Sequence, residues 1–569
     1  MENQDRIIPS VVVKQITFND DNTYDFKPDD IVLLVGPNNV GKSRAIKDLR
    51  DDLNGISDSY RHKVIIKNSN FSTSDFSSES LLEFFERNII PNEMGEYYVF
   101  TDQYNTDLFT SNDILNYQEE KRFYKVLFSF LSTEDRLNIT TPIRINSYID
   151  IRALNVMKHL ETDSNAIYKL NEYLGKSFGK GIDIFEEYIA GGLSKKYKIG
   201  DILEINDAIN ASREINRDKL RNMDDLHNQG DGIRSAVAIL SSLIANEHSL
   251  FLIDEPETFL HPPQARMLGR EIVELSHGKQ CFISTHSIDF IKGILESNSQ
   301  RVKLIKIERT ENINTFKIVD RDIITHIAND KNLRYTNILD GLFYHQLVLC
   351  ENESDCKFYS TVLEYLNPST YQDTLFCAVG GKHQFKKIVP LLNKLNINYC
   401  IIADIDLINN DDTLMQLMNT IEENCYEWIS HKHHRFLENY KKNVTPQVKT
   451  QNEIKFEIEE SFTNKKYMDD STAEKIKGIL KNISAFALLK SSGKSILPQG
   501  ECSSLFREII KFLNDHNVFI LECGEIERLV PDVDGHGISW VEKTFEKYPD
   551  IGGSVYDEAR RFIKSVFRL

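Results

Sequence analysis

Two short apolar runs in the second half of the chain end in carboxylates: His345-Gln-Leu-Val-Leu-Cys-Glu351-Asn-Glu-Ser-Asp355 and Tyr399-Cys-Ile-Ile-Ala-Asp404-Ile-Asp406. Runs this short and this apolar read as buried strands of a parallel sheet, whose carboxyl ends share one edge. Glu351, Asp355, Asp404 and Asp406 can then converge. Four crowded carboxylates repel one another unless cations neutralise them. Hard oxygen ligands favour Mg²⁺, with Mn²⁺ as the alternative, and two such ions can clamp the attacking and leaving oxygens of a phosphodiester. The competing reading is solvated acids in loops after strands; the joint spacing favours the metal.

A second set of chemistry-bearing residues lies upstream. Gly36-Pro-Asn38-Asn39-Val-Gly41-Lys42-Ser43 follows the apolar run Ile31–Val35 and precedes helical spacing from Arg44 to Asn54. This is a phosphate loop in the right context: its backbone N–H groups wrap phosphates, Lys42 reaches the terminal phosphates and the Ser43 hydroxyl ligates Mg²⁺. Ser249-Leu-Phe-Leu-Ile-Asp254-Glu255-Pro-Glu257 is another buried strand ending in acids. Asp254 would hold the Mg²⁺ shell, and Glu255 would orient or deprotonate the attacking water. Cys281-Phe-Ile-Ser-Thr-His286 ends a further strand in a histidine placed to touch the γ-phosphate. Gln229-Gly230-Asp231-Gly232 opens an apolar helix and makes a second anion cradle. The nucleotide implied is ATP.

These residues need sheets to position them, and the chain is long enough to supply more than one. Its 569 residues exceed a single hydrophobic core, and 41% apolar with 27% charged content fits a soluble globular protein. Strand character runs from Ser10 to Phe18, with a turn at Asp20-Asp21-Asn22 and a second strand up to Lys27. The pattern from about 80 to 196 predicts a mainly helical insertion, and Tyr197–Ile205 reads as a strand. Continuous α/β alternation from Gly232 to about Val319 completes a first domain over 1–335. A second α/β domain spans 340–569, with a charge-rich helical insertion over about 409–479. The net charge of −18 argues against a generic basic nucleic-acid coat but leaves room for a local groove. No secretory signal or membrane span is expected, and the eight scattered cysteines lack a Cys-x-x-Cys pair, which reads as buried thiols of a cytoplasmic protein.

The loop at Gly36, the cradle at Gly230, the acids Asp254-Glu255 and His286 together resemble an ABC-type ATPase head of the RecF/SMC kind. The resemblance implies that ATP is sandwiched between two heads, so that the protein is at least a dimer. Here His227-Asn228-Gln229 replaces the usual leucine-serine start of the signature motif. Glu351, Gly380-Gly381-Lys382 and Asp404-Ile-Asp406 resemble a Toprim domain, with Asn352 where the family carries glycine. The two in this order resemble the OLD (overcoming lysogenization defect) family of ATP-dependent nucleases, which includes the Gabija A nuclease and retron-associated effectors. The fold implied is α/β: a P-loop head with a helical insertion, then a largely parallel Toprim sheet with another. The function implied is a Mg²⁺- or Mn²⁺-dependent endonuclease or nickase serving defence against phage, with DNA favoured over RNA. A retron RNA–DNA hybrid or a helicase-like subunit are partners the resemblance allows. A further acid and a lysine from the C-terminal part should join the site; Glu527 is the favoured acid, and the lysine is Lys543 or Lys564, with Lys543 preferred. Two alternatives stand beside this reading: cleavage of RNA such as tRNA, and a scaffolding ATPase whose Toprim part is degenerate, for which Asn352 is the only sequence support.

Two further patterns read as decoys. Ser491-Ser-Gly493-Lys494-Ser495 mimics the end of a phosphate loop, but position 488 is Leu488 rather than glycine, so a surface loop is expected. Cys425 with His431, His433 and His434 suggests zinc, but without paired-cysteine spacing an exposed helix is the stronger reading.

Overall fold

The computed structural model describes residues 8–55, 64–74, 77–88, 91, 94–100, 106–116, 120–144, 156–157, 159–161, 163–189, 192–210, 213–245, 247–297, 299–310, 313–330, 337–409, 411–462, 468–481 and 483–569. The chain divides into two compact units, Met1–Ala328 and Asn329–Leu569.

The first unit is built on a six-stranded sheet in the order Ile313–Val319, Val302–Thr310, Ile31–Val35, Gln280–Ser284, Leu250–Asp254, Phe128–Leu131. All neighbours are parallel except the outer hairpin of Val302–Thr310 with Ile313–Val319. Ile31–Val35 and Gln280–Ser284 are buried at every residue, which is why Ile31–Val35 and Cys281–Ile283 read as unbroken apolar runs rather than alternating ones. One face of the sheet packs Val32, Leu34, Leu252 and Phe282 against Ala45, Ile46, Leu49 and Leu53 of the helix Lys42–Leu53. Each such buried aliphatic side chain stabilises the fold by about 1.5–3 kcal/mol relative to exposure. That packing fixes the helix whose N-terminus receives the loop Gly36–Gly41.

Helical spacing predicts a mainly helical segment over 80–196, and the structure corrects this. The segment holds helices Ser78–Asn88, Thr133–Ile139 and Ser164–Phe178, but also strands Tyr97–Phe100, Thr106–Phe109 and Phe128–Leu131, the last a member of the main sheet. It continues into a long antiparallel hairpin of Lys180–Ile189 with Gly192–Asp201. The expected strand Tyr197–Ile205 is the end of this hairpin and the start of the helix Ile202–Ile209. The hairpin escapes a periodicity reading because many of its half-buried positions carry long charged side chains paired across strands, such as Lys195 with Glu186 and Lys196 with Glu187.

The second unit is a four-stranded, all-parallel sheet in the order Thr374–Ala378, Gln346–Cys350, Tyr399–Asp404, Val518–Leu521. Val348, Cys350, Cys400, Ile402, Phe519 and Leu521 pack on Phe358, Tyr359, Trp540 and Ile563 from three flanking helices. From Gln346–Cys350 the chain crosses first to Thr374–Ala378 on one side and then to Tyr399–Asp404 on the other. The strand order therefore reverses between the two strands that end in Glu351 and Asp404, the position where open α/β sheets bind ligands. Between the third and fourth strands lie helices Asp411–Ile421, Glu427–Val444, Gln451–Ser461, Asp470–Lys481, Ala485–Ser492 and Glu501–Asp515. His433 is fully buried there, held by Asp411, by Tyr426 Oη at 3.1 Å and by the Ile408 carbonyl at 2.8 Å, so the expected exposed helix is buried along this face.

Candidate active sites

The strand ends of the second unit bring their acids together. Glu351 follows the first strand, and its carbonyl accepts from the Gly380 and Gly381 amides at 3.0 Å, so the glycine turn is folded onto the glutamate. Asp404 ends the third strand and Asp406 begins the short helical turn after it. Burial, reinforced by Asp406 and Asp355, raises the pKa of Glu351, and burial with Glu351 beside it raises Asp404 well above the carboxylate range. Glu351 Oε1 is buried and makes no hydrogen bond among the described residues. A buried carboxylate oxygen without a donor, in a nest of mutually raised acids, fits a hard cation.

Asp355 sits one turn into the helix Glu353–Leu366, where its carboxylate caps the backbone by accepting from the Asn352 amide at 3.0 Å. Asn352 has extended geometry, φ −135° and ψ 167°, so its side chain causes no strain where the resemblance called for glycine. Burial raises Asp355, and Glu527 adds to that rise. Glu527 itself accepts from the Gly537 amide at 2.9 Å and pairs with His536 at 2.5 Å, while its Oε2 is buried without a hydrogen bond. Glu525, Glu527 and His536 hold ligand atoms within 4.8 Å of one another. Of the two positions favoured from the C-terminal part, Glu527 thus adjoins the acid nest.

The Lys543 ammonium donates to the Asp534 carbonyl at 3.3 Å and lines a cavity of about 420 Å³ with Asp532, Glu546 and Lys547. The cations beside the acids are Lys382, 2.9 Å from Asp406 Oδ1, and Lys490, 3.3 Å from Asp406 Oδ2 and 3.7 Å from Asp404 Oδ2. Burial alone would push Asp406 up; these two ammonium groups outweigh it and hold that carboxyl below the usual range. Lys382 belongs to the glycine turn already visible in the sequence, whereas Lys490 lies 84 residues from Asp406 on the helix Ala485–Ser492.

A backbone clasp explains how Lys490 arrives: Lys494 and Ser495 are exposed, as the surface-loop reading expects, but Gly493 is buried. Gly493 is buried with φ 60°, and a Cβ there would meet Cys523 and Glu522 backbone atoms at 2.3–2.5 Å. Gly524, with φ 121°, approaches the Lys490 carbonyl so closely that a Cβ would stand 2.2 Å from it. The Lys494 amide donates to Glu522 O at 2.8 Å, and the Ile405 amide donates to Gly524 O at 3.2 Å. Two glycines thus let the end of the lysine helix lie directly on the loop after the fourth strand and beside the Asp404–Asp406 turn.

In the first unit, Gly41 caps the helix Lys42–Leu53, and Asn38, Asn39 and Gly36 complete the loop before it. The Lys42 ammonium is buried and donates to the Gly36 and Pro37 carbonyls at 2.8 and 2.7 Å. Burial lowers its pKa, opposed by Glu255, Glu257 and Asp254. Ser43 follows at the first turn of the helix. Asp254 accepts from the Ser284 hydroxyl, which joins the acid strand to the histidine strand. His286 Nδ1 lies 3.7 Å from Glu255 Oε1 and 3.3 Å from Glu257 Oε1; its pairing with Glu255 raises its pKa and lowers that of Glu255. Glu257, given no role from sequence, is buried and accepts from Thr285 Oγ1 at 2.7 Å and the His286 amide at 2.8 Å, which sets the histidine loop.

Arg136 was invisible in the sequence. It is fully buried and donates to the carbonyls of Asp254 (2.6 Å), Glu255 (3.0 Å) and Leu131 (3.0 Å) and to Ser235 Oγ (2.7 Å). Burial depresses its pKa to about 10, which leaves it cationic at neutral pH. It holds Glu255 in an uncommon backbone state, φ 47°, and ties that residue to the helix Asp231–Ala245 that follows Gly230. Gly230 and Gly232 line their own cavity of about 580 Å³ with Phe259, Gln264, Lys180 and Asp201, and no phosphate-loop residue lines it.

A P-loop head with its acids and histidine at one sheet edge, in a chain that also carries a parallel sheet with a Glu, Asp-x-Asp edge, defines an ABC-type ATPase head joined to a Toprim domain. Residues 31–291 match the AAA_21 family, described as an AAA domain and linked there to the AbiEii toxin of a Type IV TA system. Residues 342–406 match the Toprim domain of overcoming lysogenization defect protein-like proteins. The chain thus carries an AAA_21 ATPase domain followed by an OLD-like Toprim domain. It is 25% identical over 175 residues to the Old nuclease of Escherichia phage P2, covering 29% of this chain and 28% of that protein. It is 27% identical over 158 residues to the endonuclease GajA of Bacillus cereus (strain VD045), covering 28% of this chain and 26% of that protein. The alignments therefore span about a quarter of the length of these curated relatives. Among solved structures, an SMC head bound to the C-winged helix domain of ScpA is 13% identical with a TM-score of 0.34, over 55% of this chain and 98% of that one.

Proposed function

We propose that the protein is an ATP-binding and ATP-hydrolysing, divalent-metal-dependent DNA endonuclease or nickase, active in the cytoplasm in defence against phage. The observation that carries this reading is the meeting of Glu351, Asp404 and Asp406 at the switch point of one parallel sheet, with Lys382 and Lys490 against them. The nuclease names of the relatives support the reaction class.

Glu351, Asp404 and Asp406 would hold one divalent ion, with Asp355 and Glu527 the candidates for a second. Such ions, Mg²⁺ or Mn²⁺, would neutralise the phosphate and acidify bound water. The protein's own part is positioning and charge. The acids, pressed together by the sheet, fix where the scissile phosphate must lie. Lys490 and Lys382 present ammonium groups to the side of Asp406, where negative charge builds on the phosphoryl oxygens as the bond breaks. In the head, Lys42 and Ser43 would bind the phosphates and Mg²⁺, with Asp254 completing the metal shell. Glu255, held by Arg136 and paired to His286, would orient the attacking water. Gly230 and Gly232 serve the ATP of a second copy, which makes the working unit at least a dimer; their cavity apart from the phosphate loop supports this arrangement.

Plasmid cleavage with Mg²⁺ or Mn²⁺, with and without ATP, tests the reading. Asp404→Ala should abolish cleavage while leaving ATP binding intact, and Lys42→Ala should abolish ATP binding. Lys490→Met should cut the cleavage rate by about 10²–10³, the usual loss for one preorganised charge stabiliser, and Lys543→Met tests whether the favoured C-terminal lysine also contributes. Undiminished nicking by Asp404→Ala would remove the proposal.

A further inference from the structure

A second group of ligand-bearing side chains lies within the second unit, in the helical region between its third and fourth strands. Glu422, Cys425 and His516 hold their ligand atoms within 4.8 Å of one another. Cys425 had no plausible zinc partner among its sequence neighbours; the fold supplies one from 91 positions further on, at the end of the helix Glu501–Asp515.

The local geometry favours a metal over a chance cluster. Glu422 and Cys425 stand at positions i and i+3 of a tight turn closed by the Cys425 amide donating to Glu422 O at 3.1 Å. Asn424 in that turn has φ 61°, a conformation asparagine tolerates. The turn presents a carboxylate and a thiol with the three-residue separation that paired ligands use in zinc knuckles. The thiol is 3% exposed and therefore shielded from bulk solvent. His516 Nδ1 lies 2.8 Å from the Phe512 carbonyl. A carbonyl only accepts, so Nδ1 carries a proton, which leaves Nε2 as the nitrogen that can offer a lone pair to a metal; Nε2 faces Glu422, 3.8 Å from its Oε2. An imidazole whose far nitrogen is fixed by a carbonyl is the usual second contact of a metal-binding histidine. The Phe512 ring, 4.4 Å from the imidazole centroid, restrains the ring plane further.

We infer that Glu422, Cys425 and His516 form a metal site for Zn²⁺ or a close relative, separate from the acid nest, which fastens the helical region to the fourth strand of the sheet. Sulfur, nitrogen and oxygen donors together select a borderline-soft ion over Mg²⁺. Three protein ligands leave the fourth tetrahedral position to water. On binding, the Cys425 thiol passes its proton to solvent and the thiolate takes the metal. The turn leads directly into the long helix Glu427–Val444, which packs on Glu501–Asp515 through Phe436 and Phe506, 5.8 Å apart. The site would lock the start of the first helix to the end of the second, one residue pair before the strand Val518–Leu521.

Zinc content and cobalt spectroscopy of the purified full-length protein test this. Zn²⁺ should remain bound in Asp404→Asn, whose acid nest is impaired. Co²⁺ in its place should show thiolate-to-metal charge transfer and intense visible bands of tetrahedral coordination. Cys425→Ser should remove the charge-transfer band. His516→Ala and the exposed, fold-neutral Glu422→Gln should weaken Zn²⁺ by at least about tenfold, the low end found for outer contacts alone. Zn²⁺ should also raise the melting temperature of wild type but not of Cys425→Ser. A cobalt spectrum without thiolate bands in wild type, or zinc binding indifferent to Cys425→Ser and Glu422→Gln, overturns the inference. Neither result bears on plasmid cleavage, which depends on other residues.

Discussion

Asp404 and Asp406 stand two residues apart and titrate in opposite directions. Burial and the neighbouring Glu351 raise Asp404, while Lys382 and Lys490 overcome burial to lower Asp406. Raised acids such as Asp404 and Glu351 are protonated more readily folded than unfolded. Their contribution to stability is therefore complete below the ordinary carboxylate range and is lost as pH rises through the raised folded values. Without divalent ions at pH 8, Asp404→Asn should relieve the repulsion and stabilise the protein by on the order of 1 kcal/mol, which thermal melts in a chelator would register. Added Mg²⁺ or Mn²⁺ should raise the melting point of wild type and not that of the variant. By the same sign, metal-dependent cleavage should fail on acidification at a higher pH than free carboxylates would dictate. A wild type that already melts above Asp404→Asn in chelator would contradict this account.

At the scale of elements, the parts legible in the sequence are those whose neighbours are close along the chain or whose burial is complete. The strands Ile31–Val35, Leu250–Asp254, Gln280–Ser284, Gln346–Cys350 and Tyr399–Asp404 are largely apolar and end at the candidate site residues, so their place could be read from spacing. What could not be read depends on contacts distant in sequence. Arg136 reaches carbonyls 118 and 119 residues away. Lys490, beside Asp404 and Asp406, could not be read because nothing local marks a lysine that two glycines carry there. The glycine pair makes the element-level prediction. Gly524→Ala should cost about 1–3 kcal/mol through backbone overpacking and should lower cleavage by displacing Lys490. ATP hydrolysis by the head should persist. Melting and paired cleavage and ATPase assays check this, and unchanged cleavage would mean that the clasp does not position the lysine.

For the molecule as a whole, the phosphate loop lies at one sheet edge and Gly230 beside a cavity that no phosphate-loop residue lines, the separation that the proposed ATP sandwich between two copies requires. Self-association should therefore depend on nucleotide. Glu255→Gln, which slows water attack but leaves Lys42 and Asp254 intact, should double in mass with ATP and Mg²⁺ in sedimentation velocity. Lys42→Ala should stay at its nucleotide-free mass under the same conditions. A nucleotide-independent mass for Glu255→Gln would count against head-to-head assembly.

Lys490 rides on a helix that leaves the sheet after Asp404 and returns only at Val518. Of the two ammonium groups described beside Asp406, the one on Lys490 thus comes from a stretch of chain that protein engineers would be tempted to treat as an exchangeable module. Excising residues 411–515 as a dispensable ornament would remove that ammonium group while sparing Glu351, Asp355, Asp404 and Asp406. A chimera between relatives must therefore take that whole stretch together with both flanking strands, or it will assemble a nest that binds cations and still handles phosphate poorly.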